Sequence, residues 1–248
     1  MKKIIFTLLA LVGTMSMNAQ VMKVMRNGEV VATYTADQAD EVLFEEAPAA
    51  PAAPTTGTAM ATIGRITKQI NWVQLWAGGP KFAEFNVGVT NGKAESYGGY
   101  YNWGKTTSKD KSEDFKSGTD ALTGTDDTAT ALWGENWRMP TKEEFDALLA
   151  NCDVAWTDDY NGDNTNIAGM IFTGKGVYKD NSIFLPAAGD YLVGEPYSTG
   201  AGIYWSSTPD NDNQENIGAF ILSFTSIVQG VGSDFRFLGH SVRAVLAE

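Results

Sequence analysis

The chain has 248 residues, 43% of them hydrophobic, and a formal net charge of −12 at pH 7. That length supports one substantial core but not two large domains. The acidic balance argues against nucleic acid or an anionic membrane as a partner, because both reward basic surfaces, and a single cysteine, Cys152, rules out an internal disulfide.

In chain order, Met1-Lys2-Lys3 is basic and is followed by an apolar run over residues 4–12 and a small-residue zone ending Asn18-Ala19-Gln20. This is the layout of a secretory signal peptide, residues 1–19. The run is too short to span a bilayer, and no later stretch is apolar enough. No lipid-accepting cysteine lies near the cleavage site. The expectation is an exported protein, in the periplasm, at the cell surface or outside the cell, with no membrane insertion after cleavage.

Residues 20–46 read as a short β module. Two apolar runs flank Asn27-Gly28, which tolerates positive φ and so signals a hairpin. Residues 36–40 suggest one helical turn and residues 41–44 a third short strand. Residues 47–60, rich in Pro, Ala and Thr, read as an extended spacer. Residues 61–248 then form one domain with many Gly- and Asn-punctuated strands and few helices. Its clearest helix begins at Thr141, where Thr141-x-x-Glu144 makes a capping box and Phe145, Leu148 and Leu149 recur at helical spacing. It should stop near Asn151. A weaker helical pattern covers residues 125–133.

The C-terminal segment alternates. Leu222, Phe224 and Val228, with small Ser226, fall on one parity; Ile221, Ser223, Thr225 and Ile227 fall on the other. Strand side chains point alternately to opposite faces, so the Leu222 set should pack and the Ile221 set should face outward. The candidate ligand-binding residues are Asp210, Ile221, Ser223, Thr225, Ser233, Asp234, Phe235, Phe237, Leu238 and His240. Large apolar groups rimmed by Asp and Ser mark interaction surfaces.

Other candidates read as structural. Cys152 follows a core helix, as a buried inert thiol does. Asp159-Tyr160-Asn161-Gly162-Asp163-Asn164 offers oxygens but lacks the glycine placement and closing Glu of an EF-hand, and reads as a polar turn. Gly169-x-x-x-x-Gly174-Lys175 has Gly176 where a phosphate loop needs Ser or Thr. No Gly-x-Ser-x-Gly elbow occurs, and His240 is the only histidine. No cofactor, metal or catalytic residue is expected.

The run Trp133-Gly134-x-x-Trp137-Arg138-Met139-Pro140-Thr141-x-x-Glu144-Phe145 resembles the Fibrobacter succinogenes major paralogous domain. So do residues 182–189, Tyr204-Trp205-Ser206-Ser207-Thr208, Ser241-Val242-Arg243-Ala244-Val245, and Asn86-Val87-Gly88 followed by Tyr97-Gly98-x-Tyr100-Tyr101-x-Trp103-Gly104. The resemblance spans roughly residues 70–245, and residues 21–46 resemble the leader module of exported Bacteroidota proteins. The family is similar to the C-type-lectin-like fold of formylglycine-generating sulfatase activators and of variable proteins of diversity-generating retroelements. It implies an irregular α+β domain with two helices and small twisted antiparallel sheets, whose binding face comes from the C-terminal strands. Within it, Trp133, Trp137, Tyr204, Trp205, Arg138 and Arg243 would be structural. The activators' cysteine pair is missing, and so is the calcium-site Trp-Asn-Asp strand of lectins. The expected function is therefore non-catalytic binding of a protein or glycan ligand. Most of the outward positions are reachable from Asn codons by adenine mutation, as retroelement diversification would require. The alternatives are a structural or fimbria-associated surface component and a carbohydrate-active enzyme.

Overall fold

The computed structural model describes residues 21–26, 29–35, 55–107, 114–162, 166–192, 195–212 and 217–247. The chain divides into two units, Met1–Pro51 and Ala52–Glu248. The first contains an antiparallel hairpin of β1 (Val21–Arg26) and β2 (Glu29–Thr35), paired from Val21 with Thr35 to Arg26 with Glu29, with an irregularity at Val24/Met25. The helical turn and third strand expected at residues 36–44 lie outside the described residues, as does the signal segment.

The second unit is α+β, with two α-helices among the described residues and mostly antiparallel sheets. Strands β3 (Thr56–Ile63), β4 (Ile66–Gln74) and β5 (Lys81–Ala83) form successive antiparallel pairs. The spacer expected through residue 60 thus ends earlier, because residues 56–60 pair with β4. Helix α1 (Thr128–Trp133) starts on Asp127, whose Oδ1 accepts the N–H groups of Ala129 and Thr130 at 2.9 and 3.0 Å. Its other oxygen accepts Met139 N–H at 2.8 Å, tying the start of the helix to the stretch that follows residues 137–138. Burial pushes the Asp127 carboxyl up, against these three donors and Arg138.

Strand β6 (Trp137–Arg138) leads into α2 (Lys142–Asn151), where the capping box is complete. Thr141 Oγ1 accepts Glu144 N–H at 3.2 Å, and Glu144 Oε2 accepts Thr141 N–H at 2.8 Å. Phe145 and Leu148 are buried and Leu149 packs beside them. Strands β7 (Asp153–Thr157), β8 (Gly169–Thr173) and β9 (Ser182–Pro186) form a meander, and β10 (Asp190–Leu192) pairs with β11 (Glu195–Tyr197). The segment from Gly169, with its phosphate-loop spacing, is thus a β-strand and not a flexible cradle.

Three strands, β12 (Gly202–Asp210), β13 (Gly218–Phe224) and β14 (Gln229–Phe235), make the sheet that carries the candidate site. Its first two strands are buried on both faces. Ile203, Trp205, Ala219 and Ile221 belong to one hydrophobic cluster, with Trp103, Trp133 and Trp137; Tyr204, Leu222 and Phe224 belong to another, with Phe145, Leu148 and Phe172. Gly202 has no alternative, since a Cβ there would collide with the Phe224 ring. Finally β15 (Val245–Leu246) inserts between β5 and β6, completing a five-stranded sheet ordered β3-β4-β5-β15-β6. The sheets curl into a half-barrel, and the Trp137 indole N–H reaches across to Met60 O at 3.0 Å. No helix among the described residues is long and apolar enough to cross a membrane.

Candidate functional site

Two buried arginines fix the frame of the C-terminal segment. Arg243 donates from Nε to Asn86 Oδ1 at 2.9 Å, from Nη1 to the Ala83 and Glu84 carbonyls at 3.0 and 3.2 Å, and from Nη2 to Phe184 O at 2.8 Å. Burial lowers its pKa to about 10, so it is still charged at neutral pH. Arg236 donates from Nε to Gly218 O at 2.7 Å and from Nη1 to Gly118 O at 2.7 Å and Lys116 O at 3.2 Å. Its guanidinium also lies 4.3 Å from the Trp103 ring centroid. A planar, multi-donor cation suits such convergent carbonyls.

The segment is held by its neighbours on the other side too. Trp103 N–H donates to Arg236 O, Tyr101 and His240 exchange backbone hydrogen bonds, and Asn102 Nδ2 donates to Phe237 O at 2.6 Å. With Arg236 turned inward, Phe235 and Phe237, one residue to each side, lie together. Their rings stack at 5.2 Å and 10°, and Phe235 stays 46% exposed.

The expected ligand face is brought together only in part. Asp210, Gly218 and Phe235 lie in one row across the sheet. Asp210, Ser223, Thr225, Asp234 and Phe237 are half-buried, and Ser233 and Phe235 are exposed. Asp234 Oδ1 accepts Phe235 N–H at 2.8 Å.

Three residues expected to face outward are buried instead. Ile221 packs with Trp205 in the first cluster, because β13 has a core on each face and no outward parity there. Leu238 is folded back by a turn in which its N–H donates to Phe235 O. His240 is fully buried, packed 4.3 Å from the Trp205 ring and pinned to Tyr101. Its Nε2 lies 3.2 Å from Asp234 Oδ2 but is not aligned for a hydrogen bond. Val228 departs the other way. Expected in the core, it is 60% exposed, next to Ile227 at 91%.

Val228 is thus a site residue that alternation places in the core, and it joins Ile227, which alternation places outward. Thr225 N–H donates to Val228 O and Thr225 Oγ1 accepts Ile227 N–H at 3.3 Å, so residues 225–228 are a turn and the strand period stops at Phe224. The polar pair Thr225-Ser226 is the local signal for that turn.

The residues read as structural have clear surroundings. Cys152 is buried, and burial pushes its thiol up to about 11. Tyr204 is fully buried; its hydroxyl donates to Pro186 O at 2.7 Å and accepts from Asn86 Nδ2 at 3.2 Å, and burial raises its pKa. Gly162 closes the polar turn on Asp159 O. No group of three or more His, Cys, Asp or Glu placed to hold a metal ion occurs among the described residues.

These features define an α+β protein with an aromatic and arginine frame that presents the exposed turn of the β13–β14 hairpin and its outer strand β14. In comparison with known proteins, the chain matches no family model, no curated protein and no solved structure.

Proposed function

We propose that this chain is an exported, non-catalytic ligand-binding protein of C-type-lectin-like architecture, related to the Fibrobacter succinogenes major paralogous domain. Its ligand face is the tip of the β13–β14 hairpin and the turn that follows β14. One observation carries the reading: Ile227, Val228 and Phe235 are exposed large apolar side chains on a segment anchored by fully buried Arg236. Exposed apolar groups held on a rigid frame are typical of recognition surfaces. Retroelement diversification would act on the accessible members of the set, Asp210, Ser223, Thr225, Ser233, Asp234, Phe235 and Phe237.

The test is a binding screen of the secreted full chain against immobilised glycans and surface proteins, run beside Phe235→Ser and Val228→Ser. Loss of a ligand in both variants, with unchanged melting temperature, supports the reading. A ligand indifferent to both substitutions sinks it. Sequencing the flanking locus tests diversification separately: it requires a reverse transcriptase and a near-duplicate of the segment encoding residues 203–248 that differs at adenines.

A further inference from the structure

The three-stranded sheet ends on β14, whose outer side pairs with no described strand. Hydrogen-bond parity along β14 follows from its two ends. Thr225 N–H donates to Val228 O at the turn, and Arg236 N–H donates to Ile217 O at the far end. Between them the register runs from Gln229 with Phe224 to Phe235 with Gly218 without a shift. Hydrogen-bonded and non-hydrogen-bonded pairs alternate in an antiparallel ladder. Gly230, Gly232 and Asp234 therefore direct their backbone groups to β13, and Gln229, Val231, Ser233 and Phe235 direct theirs outward. Phe235 is already closed, its N–H by Asp234 Oδ1 and its carbonyl by Leu238 N–H. The N–H and C=O groups of Gln229, Val231 and Ser233 remain as an open ladder among the described residues.

Sheets usually guard such an edge with lysine, proline or a bulge. The sequence of β14, Gln-Gly-Val-Gly-Ser-Asp-Phe, has none of these. It has glycines instead, and a Cβ at Gly230 or Gly232 would meet nothing within 4 Å. A groove of about 280 Å³ lies there, lined by Ser198, Ile203, Ser223, Thr225, Val228 and Gly230 among others. A side chain of an added strand has room to enter it.

Charge decides between occupants. From Asp180 to the C-terminus the chain contains no lysine, and its two arginines, Arg236 and Arg243, are fully buried, as is His240. Asp210 and Asp234 are half-buried and Asp212 is exposed; Lys142, whose ammonium lies over the Phe220 ring of β13, is paired with Asp146, so the accessible charge around this sheet is negative. A second copy would bring the same sign to the edge in a molecule already at −12. A cationic strand would be attracted.

We infer that β14 receives an extended, lysine- or arginine-rich segment of a partner polypeptide, which adds as a fourth strand on its outer edge. This rests on the ligand-binding reading above and names the partner class. In strand addition the main chain supplies affinity, while alternate side chains supply selectivity.

Hydrogen exchange on the full chain tests it, with a short capped peptide alternating valine and lysine as the probe and its valine–glutamate counterpart as control. The lysine peptide should slow exchange in Gln229–Phe235 by about tenfold, the signature of newly made hydrogen bonds, and the glutamate peptide should not. Ser233→Pro removes an outward N–H at an exposed position without touching the β13 ladder, and Gly232 before it tolerates the proline. That variant should lose the protection, whereas Ser233→Ala should keep it. No protection by the lysine peptide, equal protection by both peptides, protection retained in Ser233→Pro, or β14-dependent self-association in sedimentation would each overturn the inference. A ligand lost in Phe235→Ser but held by Ser233→Pro would overturn it while leaving the ligand-binding reading intact.

Discussion

At the residue scale, the buried polar groups divide by what surrounds them. Arg243 and Arg236 donate chiefly to carbonyl oxygens, so each cross-links segments that are far apart in sequence, although Arg236 Nη2 is buried with no hydrogen-bond partner among the described residues. The structural role expected for Arg243 follows from that geometry. Cys152 shows the opposite case, a titratable group kept neutral. Its thiol is raised from 9.0 to about 11, by burial first, with Lys175 opposing. The sign follows directly. The folded chain keeps a proton that the unfolded chain releases, so this contribution to stability is present below pH 9 and is lost as pH rises through about 11. Denaturant midpoints should therefore fall between pH 9 and 11 more steeply in the wild type than in Cys152→Ala. Parallel slopes would refute the assignment. Native Cys152 should also resist alkylation at pH 8, because the thiolate is the reacting form.

At the scale of elements, α2 is readable because its signals are local. The Thr141–Glu144 capping box and the Phe145/Leu148 spacing lie within a few residues of each other. Glu144 does more than cap: its two oxygens also accept from Arg138 Nη2 and Nη1 at 2.6 and 2.7 Å, joining helix to β6. Thr141→Ala should cost about 1 kcal/mol, measurable by urea denaturation, and a change below a few tenths would mean the cap is dispensable. The strand β13 is only half readable. Alternation identifies Leu222 and Phe224 correctly, but a strand with a core on both faces shows a continuous apolar run, here Ala219-Phe220-Ile221-Leu222. Nothing local says which reading applies. His240 escapes the pattern for a related reason: its burial depends on Tyr101 and Trp205, which alternation within its own segment does not reveal.

At the scale of the whole second unit, the mixed class with few helices is legible from Gly and Asn punctuation, whereas the strand order is not. The half-barrel joins strands from opposite ends of the unit. Val245 pairs with Phe82 on one side and Arg138 on the other, and Ala83 and Val87 N–H donate to the Ala244 and Val242 carbonyls. No local pattern encodes such pairings, and their loop-closure entropy must be met before the contacts reward it. The C-terminal residues are therefore central to the sheet. Without them β5 and β6 lose their shared neighbour, and the buried surroundings of Trp137, Phe82 and Asn86 open together. A chain ending after Ser241 should show neither a cooperative melt nor the near-ultraviolet dichroism of ordered tryptophans, though secondary structure persists in part. A truncated chain that melts cooperatively within a few degrees of the full one would show that the sheet closes without its last strand, and that the order β5-β15-β6 follows folding instead of completing it.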